Sequence, residues 1–227
     1  MEIQNGSAAV EMRERKREFT YGRTAVLTFS SSYPEIVSAP GAAAERINRR
    51  VRLQEEGFYR YASTVLYRQT VKEYRDSLEN GFPFRPYDAV LNYEVTLNGD
   101  CYFSLYRDRY EYTGGAHGNT VRSSDTWSLK TGNRLALSDF FMPGENYRMI
   151  LTEQILLQAD ENMRQNPGIY FEDYRALIVK FFHPESFYLT PEGLNIYYQQ
   201  YEIAPYSTGI VVFTVGYETL GWRPSCR

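Results

Sequence analysis

The residues that could do chemistry are few. His117 and His183 are the two histidines. A Ser–His or Cys–His nucleophile pair would have to use one of them. His117 has no Cys or Asp close in sequence, so a turn-stabilising or exposed role is expected there and a catalytic one is not. Cys101 and Cys226 are the two cysteines. They cannot build a disulfide framework or a four-ligand zinc site. We expect two unpaired thiols, with a single bridge as the alternative. No metal site or cofactor is expected. Gly114-Gly115-Ala116-His117-Gly118 is rich in glycine, but it lacks the Lys and Ser/Thr of a phosphate-binding loop and runs into a strand pattern, not a helix. Asp108, Glu111, Glu172, Asp173, Glu192 and Glu202 could supply the two carboxylates of a glycoside hydrolase, yet nothing in their spacing pairs them. Tyr197, Tyr201 and Tyr206 could stack on a sugar, although tyrosine also suits a half-buried sheet.

Two segments stand out as a ligand surface. Gly114, Gly115, Ala116, His117, Gly118, Asn119 and Thr120 form one. Pro205, Tyr206 and Ser207, within Ala204 to Gly209, form the other. Both interrupt strand patterns, and both carry residues that fix a loop shape, which lowers the entropy lost on binding. Tyr206 adds a rigid amphipathic side chain of the kind found at interface hot spots. We expect the two loops to lie near each other at one edge of the molecule.

The elements that must hold these loops read as follows. Thr24 to Phe29 is a strand. Tyr33-Pro34 and Ala39-Pro40-Gly41 mark a loop. From about Ala42 to about Asn80, Ile47, Val51, Phe58, Ala62, Val65 and Leu66 follow a helical period. Gly57 is a possible bend, and Asn80-Gly81 a stop. Arg46, Arg49 and Arg50 form a basic stripe, read as a solvated face. Leu91 to Leu97 alternates apolar and polar residues, and Asn98-Gly99 predicts a two-residue hairpin turn into Cys101–Tyr106. That turn would set Tyr93 opposite Ser104. A strand follows from Val121 to Leu129, then a turn at Ser138–Phe141. Helices are predicted from about Glu145 to Gln165 and around Tyr174–Phe181. Phe187–Leu189, Leu194–Gln199 and Ile210–Val215 read as strands, the last buried on both faces. Helices segregated from antiparallel hairpins define an α+β class.

Composition sets the outer bounds. The 227 residues carry 25 Lys+Arg against 28 Asp+Glu, a net charge of −3. That balance argues against a nucleic-acid protein held by phosphate contacts. Mean hydropathy is −0.51, and no window approaches the ~18 apolar residues of a membrane span. The polar stretch 1–18 reads as a disordered leader. Two parts are expected after it, 19–86 and 87–227.

The segments Tyr112-Thr-Gly-Gly-Ala-His-Gly-Asn-Thr120, Leu129-Lys-Thr-Gly-Asn133, Leu137-Ser-Asp-Phe-Phe141, Phe187-Tyr-Leu-Thr-Pro-Glu-Gly193 and Tyr198-Gln-Gln-Tyr-Glu-Ile-Ala-Pro-Tyr206, then Gly209, resemble the RsiV-type C-terminal domain. That domain occurs in the extracytoplasmic part of anti-sigma-V factors. Thr24 to Asn80, with Tyr33-Pro34-Glu35-Ile36, resembles the domain that precedes it there and in front of some polysaccharide deacetylases. The resemblance implies a binding module outside the cytoplasm and no catalyst. It implies a lysozyme-like hydrolase or a cell-wall glycan as ligand, with the loops entering the acid-lined cleft of such a partner. The alternative is a cell-wall polysaccharide hydrolase using paired carboxylates.

Overall fold

The computed structural model describes residues 6–37 and 41–226. The chain divides into two compact units. One comprises Ala9–Glu94 with Arg107–Val121; the other holds the segment ending at Ala8, Val95–Tyr106 and the chain from Arg122 onward. The expected boundary at 86/87 is therefore not where the chain divides. The class is α+β, as expected.

In the first unit, β1 (Val10–Tyr21) runs antiparallel to β2 (Thr24–Ile36), pairing Val10 with Ile36 and Tyr21 with Thr24. Residues 10–18, expected to be a disordered leader, thus form most of a strand. Met1 to Asn5 lie outside the described residues. The signal was hidden because β1 is an edge strand. Its register comes from backbone pairing, and its alternating Glu and Arg side chains discourage further pairing. Tyr33-Pro34, expected as a loop, continues β2. Pro34 pairs with Met12, beyond the last parallel pair, Ser32 with Asn92. A proline can sit where one flank of the strand is open. Ala39 and Pro40 of the expected loop lie outside the described residues.

Strand β2 pairs parallel with β3 (Tyr87–Gly99), and a parallel pair needs a long crossover. The crossover is the helix α1 (Ala42–Tyr61), a π-helical turn (Ala62–Leu66) and α2 (Tyr67–Asn80). Gly57 does not interrupt it. Gly81, at φ 70°, ends it with a left-handed cap, as expected. The helix lies on β2: the Phe29 ring meets Phe58 at 5.7 Å and Tyr59 at 5.2 Å, and the Thr70 hydroxyl donates to the Val26 carbonyl at 2.8 Å. Asn48 secures the strand's end, donating to the Ile36 carbonyl and accepting from its N–H, both at 2.8 Å.

Strands β4 (Tyr102–Tyr112) and β5 (Asn119–Ser128) complete a sheet ordered β1-β2-β3-β4-β5, and the unit boundaries fall within β3, β4 and β5. The β3–β4 hairpin exists, but its turn is Asp100-Cys101, with φ of 51° and 68°, two residues beyond the expected Asn98-Gly99. The expected pairing of Tyr93 with Ser104 followed from the earlier turn and goes with it. The Asn98 side chain explains the shift. Its amide donates to the Ala8 carbonyl at 2.7 Å and accepts from the Ala8 N–H at 2.9 Å, which keeps Asn98 in the strand. Cys101 is bridged to Cys226, so the expectation of two free thiols is corrected. Spacing could not show it, because 125 residues separate the pair.

The second unit packs α3 (Tyr147–Gln165) and α4 (Tyr174–Lys180) on an antiparallel sheet of β6 (Phe187–Leu189), β7 (Gly193–Tyr198) and β8 (Val211–Gly216). A short helix, α5 (Tyr217–Leu220), follows β8. Leu151, Ile155, Ile178, Ile196, Tyr198 and Phe213 are at the centre of this core. In β8, Val211, Phe213 and Val215 are buried while Thr214 is exposed, so it is covered on one face and not two. Strand β7 is covered on both faces, with every residue buried, as is the short β6.

Candidate functional site

The first expected loop belongs to the unit containing the crossover helix. Gly114 (φ 90°) and Gly115 (φ 88°) hold left-handed conformations that other residues enter only with strain. A Cβ on Gly114 would lie 3.1 Å from Glu73 Oε1, and one on Gly118 would lie 2.4 Å from the Tyr110 ring. The Gly115 carbonyl accepts from the Tyr112 hydroxyl at 3.1 Å and from the Arg85 guanidinium at 3.4 Å. Arg85 also donates to the Tyr112 oxygen at 3.4 Å. Glu73, on α2, accepts from the Tyr87 hydroxyl at 2.5 Å. Burial, then the Glu73 carboxylate, pushes the Tyr87 phenol well above its usual range. The loop is therefore braced by helix, strand and its own carbonyls, while Gly115, Ala116 and His117 are exposed at its tip. His117 Nδ1 lies 3.2 Å from the Gly118 carbonyl. Asn119 and Thr120 already belong to β5.

The second loop belongs to the other unit. Pro205 leads into a short 3-10 helix, Tyr206–Thr208, closed by Gly209 at φ 75°. The Thr208 hydroxyl donates to the Ile169 carbonyl at 3.0 Å. Ser207 is exposed. Tyr201 holds a left-handed φ of 66°, is 54% exposed, and places its ring 5.9 Å from that of Tyr206. This tyrosine pair presents an amphipathic surface. Tyr201 was legible as a candidate by type, but its left-handed backbone and its ring contact with Tyr206 were not. Tyr197, the other candidate for sugar stacking, is only 3% exposed; its hydroxyl is 3.2 Å from Ser124 Oγ and its ring stacks on Tyr188. It is part of the core and not a stacking platform.

Glu111, Glu55, Asp125 and Glu202 each have their own partners, whereas Asp100, Glu192 and Glu218 share one cleft. Glu111 accepts from the Tyr61 hydroxyl at 3.2 Å and pairs with Arg109 at 3.0 Å. Buried Glu55 is matched by Ser31 at 2.8 Å and Arg15 at 3.3 Å, and buried Asp125 by Arg134 at 2.5 Å. Glu202 is the acid held above the usual carboxylate range. Burial causes this, opposed by the Gln199 N–H, which donates to it at 2.7 Å, and by His183 at 3.9 Å. Glu192 lines a cleft of about 370 Å³ with Asp100, Glu218 and Tyr217. Among the described residues, no three His, Cys, Asp or Glu side chains are grouped to hold a metal ion.

An α+β chain with a βαβ unit, a separate three-stranded sheet and braced loops is thus the class that the fold defines. Comparison with known families places it further. Residues 138–218 match the model described as "Protein of unknown function (DUF3298)", and residues 21–120 match the one described as "Deacetylase PdaC". Two solved structures share the fold. One is a DUF3298 family member from Bacteroides fragilis, with a TM-score of 0.68, 22% identity, and coverage of 96% of this chain and 94% of that one. The other is a DUF3298 family protein from Pseudomonas aeruginosa, with a TM-score of 0.61, 19% identity and the same coverage, 96% and 94%. No curated protein matches the chain.

Proposed function

We propose that this chain is a non-catalytic, extracytoplasmic binding domain whose ligand is a lysozyme-like cell-wall hydrolase. The observation that carries the reading is the braced loop around Gly115. A tip of Gly115, Ala116 and His117 stands on hydrogen bonds from Tyr112 and Arg85, so little conformational freedom is lost on binding. The Tyr201–Tyr206 pair supplies rigid aromatic area on the other loop. The Cys101–Cys226 bridge supports an oxidising compartment, since disulfides persist mainly outside the cytoplasm. Several acids are matched by cations or hydroxyls: Glu55 by Arg15 and Ser31, Glu111 by Arg109 and Tyr61, and Asp125 by Arg134. The resemblance to lysozyme-sensing anti-sigma factors supplies the ligand class. The match to the deacetylase-named model covers residues 21–120, and we take that region as the framework of the first loop.

The test is binding of a lysozyme by the intact protein and by His117→Ala and Tyr206→Ala. A hot-spot loss of about 2 kcal/mol weakens affinity by roughly thirty-fold. Unchanged affinity in both variants, with the fold intact, discards these loops as the site. Binding to peptidoglycan fragments with none to lysozyme would move the ligand to the glycan. Turnover of a glycan that Glu202→Gln abolishes would replace the reading with an enzyme.

A further inference from the structure

The crossover helix carries a second surface, independent of the loops. Positions 46, 49, 50, 53, 57, 60 and 64 recur at three- and four-residue steps and so share one side. The wider step of the π turn at Ala62–Leu66 brings Arg68 and Lys72 onto the same side. The opposite, buried side confirms the phase: Phe58, Ala62, Leu66 and Thr70 step by four through that turn. Arg46, Arg49, Arg50, Arg60, Arg68 and Lys72 are all exposed. Leu53, Gly57 and Thr64 lie between them; no Asp or Glu falls on the stripe from Arg46 to Lys72, and exposed Asp76, one turn further on, ends it. Of the flanking acids, Glu56 is engaged by Arg15 at 3.1 Å.

Several other cations of this unit are matched: Arg13 to Glu35 at 2.6 Å, Arg52 to Glu35 at 3.4 Å and Arg109 to Glu111 at 3.0 Å. Among the described residues, Arg49, Arg50, Arg60, Arg68 and Lys72 have no such partner. A single-sign stripe therefore runs along one helix of a chain whose net charge is −3. From Arg46 to Lys72 it spans about 40 Å at about 1.5 Å per residue.

We propose that this stripe binds a linear polyanion, a polymer bearing phosphates along its backbone. The stripe is long and narrow, which suits a chain lying along the helix. A membrane-surface helix would carry a continuous apolar face beside its cations; here Leu53 and Val65 are the large apolar side chains exposed near the stripe. No aromatic side chain on the stripe offers a base-stacking platform, which disfavours single-stranded nucleic acid.

Long-chain inorganic polyphosphate is the probe, titrated across a salt series. The variant Arg49→Gln/Arg50→Gln/Arg60→Gln/Arg68→Gln keeps residues of similar helix propensity, and circular dichroism checks the helix. The control, Lys16→Gln/Lys130→Gln/Arg164→Gln/Lys180→Gln, removes four exposed cations elsewhere. The expected result is tight, salt-sensitive binding whose log–log salt slope falls by about three in the stripe variant, with at least about a ten-fold loss of affinity at low salt. The control should keep the slope. Equal loss in both variants, absence of binding, or tighter binding to phosphatidylglycerol vesicles or to a single-stranded oligonucleotide would overturn the proposal. Lysozyme binding should be the same in the stripe variant and the parent, which separates this site from the loops.

Discussion

Asn98 shows how one side chain redirects a local preference. An Asn-Gly pair is a strong turn signal, yet here the asparagine spends its amide on the Ala8 backbone in both directions. The turn passes to Asp100 and Cys101, both in left-handed conformations. Asn98→Ala is expected to lower stability by about 1–3 kcal/mol, because it removes two hydrogen bonds and leaves the Ala8 groups unpaired; a denaturant midpoint measures it. Glu202 makes the pH prediction. Its carboxyl is held above the range of an unfolded glutamate, so the folded state keeps its proton longer as pH rises. That contribution is present at acid pH, below the unfolded value, and is lost as pH rises to the folded one. Glu202→Gln is expected to flatten this part of the stability–pH curve, which melting temperatures across weakly acidic to neutral pH would show. At this scale the residue types of the site were legible: glycines, His117 and Tyr206. The partners that brace them were not, because Arg85 and Glu73 lie 30 and 41 residues from Gly115 and Gly114 and meet them only through the fold.

Among elements, the long helix was the most legible, since its apolar positions repeat over many turns. The π turn was not, because the sequence carries no Pro or Gly within Ala62–Leu66. Its consequence is visible at Val65, expected to face inward but 40% exposed. Gly57 sits inside α1, with open space where a Cβ would be. Gly57→Ala is therefore expected to raise stability by about 0.5–1 kcal/mol, through higher helix propensity and a less free unfolded chain. An unchanged or lower unfolding midpoint would contradict this. Gly193 is the opposite case. A Cβ there would come within 2.3 Å of the Val215 carbonyl oxygen, across the β7–β8 pair. Gly193→Ala should lower the midpoint, because backbone must move. Strand β1 escaped the sequence reading because its charged alternation lacks an apolar face; only pairing with β2 reveals it.

For the whole molecule, the bridge between Cys101 and Cys226 joins the β3–β4 turn to the end of the chain. Close packing surrounds it: a Cβ on Gly6 would lie 2.5 Å from Cys226 Sγ, and the Cys101 N–H donates to the Gly6 carbonyl at 2.9 Å. Replacing both cysteines with serine is expected to cost about 2–5 kcal/mol, and the parent should lose a similar amount in reductant. Equal unfolding midpoints with and without reductant would contradict a structural bridge. The central claim concerns the loops, and the most direct measurement is a lysozyme's hydrolysis of cell walls as this protein is titrated in. Insertion of the braced loops into the hydrolase cleft predicts saturable inhibition, weakened by roughly thirty-fold in His117→Ala or Tyr206→Ala. Full hydrolytic activity at saturating protein, or inhibition unchanged in both variants, would contradict the account.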